Sequence, residues 1–211
     1  QWVVERCLAS QVAEEVIVAT PDDEILEACS DFGAQAIRTR LDHPSGTDRL
    51  AEVAQHMQAD AYVNVQGDEP LVRPETIRAC AEALLEDSSV EMSSVCSPCP
   101  DEELENPAVV KVVLAQNRDA LYFSRSLMPY ARNPRVVPVY KHIGLYAFRQ
   151  GTLARFARWS PSPLEVTEGL EQLRFLENGV KIRMAEGQGS ELAVDTPEQA
   201  DQVRAILSSQ S

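Results

Sequence analysis

Residues 64–70 read Asn-Val-Gln-Gly-Asp-Glu-Pro, directly after the apolar stretch Ala-Tyr-Val. That order predicts a buried strand that delivers Asp68 just past its C-terminal end, where open α/β sheets bind their ligands. Gly67 allows a tight turn or a close backbone approach there. A carboxylate in that place can hold Mg²⁺, a hard cation that shares oxygen ligands with substrate phosphates. Asp68 can equally do no more than cap a turn. A second acid, Asp195, stands before Thr196-Pro197-Glu198. It is either the neighbour of a routine helix cap or a second Mg²⁺ ligand brought beside Asp68 by the fold. A third segment, His43-Pro44-Ser45-Gly46-Thr47-Asp48-Arg49, is a glycine-containing turn entering a helix, whose N–H groups and hydroxyls can receive a base or a phosphate. Many ordinary turns contain Ser-Gly-Thr as well.

Two further groups carry polar side chains in suggestive places. On a strand starting at His142, alternation sets His142, Gly144 and Tyr146 on one face, with the glycine leaving room for a sugar. Between residues 165 and 177 a helical pattern puts Val166, Leu170 and Leu173 on an apolar stripe. Glu168, Glu171 and Gln172 fall together on another face, which can be a solvated one. His56 reads as a surface residue late in its helix. No Ser-His-Asp order, P-loop or zinc spacing is present.

The elements that must position these residues alternate. Strands are expected at 15–20, 35–39, 61–66 and 90–96, with helices at 22–31, 46–57 and 74–85 between them. Residues 109–114 and 120–124 form an expected antiparallel pair, 142–149 a strand, 162–178 a helix, 181–185 a strand and 196–207 a final helix. Alternation predicts one α/β domain over 1–211 with a mostly parallel sheet. The region 109–149 is richer in strands and reads as a substrate-binding or dimerisation part.

The chain of 211 residues carries a net charge of −14, with 44% apolar and 25% charged residues. This composition belongs to a globular protein, and its field repels nucleic acid and anionic membrane. An anionic substrate then needs local Lys or Arg, or a bound cation, to offset it. Five irregularly spaced cysteines suit a reducing compartment, no run is long enough to span a membrane, and the expected location is the cytoplasm. Cys96 and Cys99 lack the second pair that a zinc site needs, so no role is expected of them.

Taken together, HPSGTDR (43–49), VNVQGDEPL (63–71), VKVV (110–113), LYFSR (121–125), HIGLY (142–146), SPLE (162–165) with LEQLR (170–174), and VDTPE (194–198) resemble the CMP-Kdo synthetase (3-deoxy-manno-octulosonate cytidylyltransferase) family, in the family's order and over nearly the whole chain. The resemblance implies a nucleotide-diphospho-sugar transferase, Rossmann-like fold with a β-rich dimerisation part, and a homodimer. It implies the substrates CTP and Kdo, Mg²⁺ held by Asp68 and Asp195, and a product used for lipopolysaccharide. It implies that Gln66, His142, Tyr146, Glu171 and Gln172 bind the sugar, that Ser45, Gly46 and Arg49 bind cytidine, and that Lys111 contacts an anion. The family also opens with a strand and a cationic phosphate loop that have no counterpart here. The chain is therefore expected to be a fragment lacking roughly 30–40 upstream residues, with little or no activity. The alternatives are another CMP-sugar-acid cytidylyltransferase, such as one acting on sialic acid, and a non-catalytic nucleotide- or sugar-binding module.

Overall fold

The expected alternation of strands and helices organises the molecule. The computed structural model describes residues 1–188, 192–194 and 196–209. In chain order the elements are α1 (Trp2–Ser10), β1 (Ile17–Thr20), α2 (Asp23–Asp31), β2 (Gln35–Arg38), α3 (Gly46–His56), β3 (Tyr62–Asn64), α4 (Pro74–Leu85) and β4 (Met92–Pro98). After a 3₁₀ turn (Asp101–Glu103) come β5 (Lys111–Leu114), β6 (Ala120–Ser124), β7 (Tyr140–Phe148), α5 (Gln150–Phe156), α6 (Pro163–Glu168), α7 (Gln172–Glu177), β8 (Ile182–Glu186) and α8 (Pro197–Ser208).

The large sheet is mixed, not mostly parallel as the alternation predicts: among the described residues one of its five strand pairings, β4 with β8, is parallel and the other four are antiparallel. Its main path is β6-β5-β7-β4-β8, and β3 joins β7 off that path. β4 and β8 pair in parallel, whereas β7 runs antiparallel to both β3 and β4. Thus β3, β4 and β8 share one direction, as expected for an alternating chain, and β7 is inserted between them against it. β1 and β2 form a separate parallel pair. The hairpin expected at 109–124 is present as β5 and β6, and it extends the sheet from the first residues of β7.

Two apolar layers sandwich the sheet. On one face, Ile77, Cys80 and Leu84 of α4 pack on Val95, Ile143, Leu145 and Ala147. The other face is larger and joins Ala51 and Ala54 of α3, Leu153 and Phe156 of α5 and Leu173 and Phe175 of α7 to Met92, Phe123, Tyr146 and Phe148. The period of two along β7 divides its side chains between these layers, with Tyr146 and Phe148 on one side and Ile143, Leu145 and Ala147 on the other. Each fully buried Leu, Ile or Phe contributes about 1.5–3 kcal/mol. The two-sided burial therefore fixes which face of β7 carries its polar residues.

Between Ser94 and Val95 the register with β7 shifts, leaving Gly144 and Leu145 without partners on β4. The Ser94 hydroxyl spans the irregularity by donating to the Leu145 carbonyl at 2.8 Å. Such bulges re-aim side chains beside functional sites.

Candidate active site

The turn after β3 is the first component. Glu69 N–H donates to the Gln66 carbonyl at 3.3 Å, and Val72 N–H to the Glu69 carbonyl at 3.2 Å. These bonds fold the segment tightly and leave Gly67 and Asp68 exposed at the strand's end. The main-chain carbonyl of Asp68 accepts the Val194 N–H at 2.8 Å. Residue 194 is therefore docked on this turn, and Thr196 caps α8 two positions on. Asp195 itself lies outside the described residues. Among the described residues no cluster of three or more acids, histidines or cysteines is arranged for a metal. An exposed carboxylate at a sheet edge, with room for phosphate and water oxygens, nonetheless fits Mg²⁺, which is commonly held by one or two carboxylates plus its substrate.

The second component is the entry to α3. Ser45 is the N-cap, and its hydroxyl accepts the Asp48 N–H at 3.1 Å. A Cβ added at Gly46 would stand 3.1 Å from Nε2 and 3.2 Å from Oε1 of Gln66, and 3.6 Å from Nδ2 of Asn64. Glycine is therefore what lets the start of α3 lie against the side chains of Asn64 and Gln66, at and just past the end of β3. Arg49 turns the other way. Its guanidinium donates to Thr39 Oγ1 and, at 3.1 Å, to the Arg40 carbonyl, tying α3 to the end of β2. The imidazole of His43 is paired with Glu52 further along the same helix, and His56 is exposed as expected.

The third component is the polar face of β7 with the segment around α7. His142, Tyr146, Glu171 and Gln172 do come together. The Tyr146 hydroxyl donates to Gln172 Oε1 at 3.4 Å, and Gln172 Nε2 stands 3.5 Å from His142 Nδ1. His142 Nε2 lies 2.9 Å from Ser94 Oγ. Because Ser94 spends its proton on Leu145, the consistent tautomer has Nε2–H donating to Ser94 and Nδ1 accepting from Gln172. The ring packs between Phe123 and Tyr146, with centroids 5.0 and 5.4 Å away. Burial accordingly pushes the His142 pKa down to about 3, so the imidazole is neutral. His142, Gly144, Tyr146, Leu170 and Gln172 open onto a cleft of about 340 Å³.

The helix expected at 162–178 divides in two. Gly169 adopts the left-handed conformation, φ 63° and ψ 44°, and ends α6; α7 starts afresh at Gln172. The acids expected on one helix face therefore part company. Glu168 accepts from the Ser124 hydroxyl at 2.6 Å and from Arg125 N–H at 3.0 Å. Val166, placed by the pattern on an apolar stripe, is exposed, while Leu170 and Leu173 are buried. Glu171 instead faces α3, where it accepts from the Thr47 hydroxyl. Its pKa is raised by burial, with Ser45 and Thr47 pulling it back down, Asp48 pushing it up and Arg174 lowering it.

Lys111 corrects another expectation. It is fully buried, and its ammonium donates to the carbonyls of Asn106, Val109 and Arg125 at 2.7, 2.8 and 2.8 Å. Its three donors are used within the protein, so it knits loops together and does not contact a substrate anion. Sequence reading gives Thr47, Ser94 and Asn64 no role of their own; Thr47 and Asn64 lie in segments already singled out, whereas Ser94 lies on β4, outside them.

A mixed α/β sheet with an acid in the turn after β3 and a polar cleft lined by β7 is the arrangement of a nucleotidyltransferase, and a cytidylyltransferase family model matches residues 1–182. A 3-deoxy-manno-octulosonate cytidylyltransferase of Koribacter versatilis is 48% identical over 198 residues, covering 93% of this chain and 75% of that one. One of Escherichia coli is 41% identical, covering 98% and 84%. The structure of CMP:2-keto-3-deoxy-manno-octonic acid synthetase complexed with CTP superimposes with a TM-score of 0.96 at 40% identity, covering 100% of this chain and 88% of that one. An inositol-1-phosphate CTP transferase from T. maritima, at 16% identity and TM-score 0.66, shares the fold. The chain belongs to the 3-deoxy-manno-octulosonate cytidylyltransferase, or CMP-Kdo synthetase, family.

Proposed function

We propose that this enzyme transfers CMP from CTP to 3-deoxy-D-manno-octulosonate, giving CMP-Kdo and pyrophosphate. The observation that carries the reading is the convergence of segments far apart in sequence. Gly46 abuts the Gln66 amide, Thr47 bonds to Glu171, and Tyr146 bonds to Gln172, which neighbours His142. Asp68 stands two residues after Gln66, in the turn that follows β3.

In this reading the anomeric hydroxyl of Kdo attacks the α-phosphorus of CTP, the bond to the β-phosphate oxygen breaks, and pyrophosphate leaves. Asp68 and Asp195 would hold Mg²⁺, which would supply positive charge against the phosphoryl oxygens. A protein of net charge −14 needs that local positive charge to accept a trianionic or tetraanionic nucleotide. The protein's own groups bind and orient. Ser45 and Gly46 receive the cytidine, and Arg49 braces the same turn from behind. Gln66, Glu171 and Gln172 hold the sugar hydroxyls. Tyr146 and a neutral His142 form the wall of the sugar cleft, and a neutral imidazole there avoids an ionic clamp that would bind ground and transition states alike.

The reading extends to a homodimer formed through the β-rich region, to the cytoplasm, and to supply of an activated sugar for lipopolysaccharide. Among the described residues no helix is long and apolar enough to cross a membrane. A panel of sugar acids offered with CTP and Mg²⁺ tests the substrate. Kdo should be turned over at least about a hundredfold more efficiently than sialic acid, because buried polar groups left unpaired by the wrong sugar weaken its binding. Preference for sialic acid would overturn the assignment.

A further inference from the structure

We propose that Thr47 is a positioning residue for the transfer: its hydroxyl orients the Glu171 carboxylate toward the sugar acid and links the nucleotide-binding turn to the sugar site. This rests on the transferase reading above. Thr47 is only 1% exposed and lies in the first turn of α3, where a threonine usually serves its own helix. Here Ser45 already caps that helix. The Thr47 hydroxyl instead reaches across 124 residues of sequence to the Glu171 carboxylate. It is immediately preceded by Gly46, the residue in contact with Gln66. Glu171 is immediately followed by Gln172, which bonds to Tyr146 on the cleft wall. The Thr47–Glu171 hydrogen bond thus connects the two halves of the site.

The charges around Glu171 make that bond consequential. From α3, Asp48 repels it; from α7, Arg174 attracts it; from β7, the Tyr146 phenol faces it. Arg174 is already committed to a two-pronged pair with Glu165, so its help is shared. Burial favours the protonated acid, and the hydroxyls of Ser45 and Thr47 oppose it. Removing the Thr47 hydroxyl leaves Glu171 less often ionised and with one fewer hydrogen bond to orient its carboxylate. The acid limb of the pH profile then moves to higher pH.

Thr47→Val keeps the size and branching of the side chain and removes the donor. Steady-state kinetics of pyrophosphate release across pH 6–9 should show the KM for Kdo raised roughly tenfold, the loss expected for a hydrogen bond to a charged group. The KM for CTP should stay within about twofold, and Thr47→Ser should restore the Kdo value. Equal changes in both KM values, or none, would overturn the proposal. Should Thr47→Val fail to fold, Glu171→Gln decides: it removes the titration at constant size, so the acid limb in the Kdo KM should vanish, and an unchanged limb would overturn the proposal. Absence of Kdo-dependent release from the unsubstituted enzyme would instead sink the transferase reading itself.

Discussion

The Val194 N–H donates to the main-chain carbonyl of Asp68 across 2.8 Å, so the backbone of Asp68 is engaged within the fold while its side chain is exposed. Asp68→Asn should separate them. The fold keeps its backbone bond, and the melting temperature should shift by less than about 2 °C. Mg²⁺-dependent turnover should fall by at least about a hundredfold, as losing one carboxylate removes much of the metal's charge stabilisation. Activity within a few-fold of normal at saturating Mg²⁺ would show that Asp68 is not a metal ligand.

Gly46→Ala probes the contact between α3 and β3. The new Cβ would press on the Gln66 amide at 3.1–3.2 Å, which can yield by rotating because it is the end of a flexible side chain. Folding should survive, with a cost of about 1 kcal/mol or less. The Gln66 amide is displaced, so KM values should rise several-fold for both substrates. Kinetics indistinguishable from the parent would mean that the close approach has no part in binding.

How much of this was legible beforehand differs by residue. The order of strands and helices followed from apolar runs and caps, because burial imposes its period on the sequence. The direction of β7 did not, since His-Ile-Gly-Leu-Tyr alternates identically whichever way the strand runs. The bounds expected for the 162–178 helix match the outer ends of α6 and α7, at Ser162 and Asn178. The break between them depended on Gly169 taking a positive φ, which a helical pattern does not reveal. His142, Tyr146, Glu171 and Gln172 were found through resemblance and do adjoin one another. Lys111 was misjudged because a lysine in an apolar strand shows that its ammonium must be satisfied, without showing by what.

Lys111→Met tests that correction. Three carbonyls lose a buried charged donor, and replacement should cost about 3 kcal/mol, or roughly 6–12 °C in melting temperature for a chain of this length. The KM for CTP measured well below that melting point should be unchanged. A selective loss of CTP affinity with no loss of stability would return Lys111 to the substrate site.

His142 makes stability depend on acid. Its pKa is about 3 in the folded protein against the ordinary 6.5, so below pH 6.5 the unfolded chain binds a proton that the folded one refuses. Stability from this group is full above pH 6.5 and is lost as the pH falls toward 3. Between pH 6.5 and 5 the loss is at most about 2 kcal/mol. Denaturant midpoints measured across that range should fall less steeply for His142→Gln. Parallel slopes would show that His142 does not titrate on unfolding.

Asn64 Nδ2 is buried and has no hydrogen-bond partner among the described residues, close to Gly46. Asn64→Leu should therefore raise the unfolding free energy by about 1 kcal/mol while lowering catalytic efficiency, the pattern of a group kept for function at a cost to stability. A drop in stability measured by urea titration would mean that the amide is satisfied in solution.

The central claim is that one site joins CTP to Kdo, and pyrophosphate release from CTP and Mg²⁺ by the full-length protein, with and without Kdo, tests it most directly. Release that requires both Mg²⁺ and Kdo, with CMP-Kdo formed in equal amount, is the expected result. A folded protein that binds CTP yet releases no pyrophosphate in the presence of Kdo would contradict it.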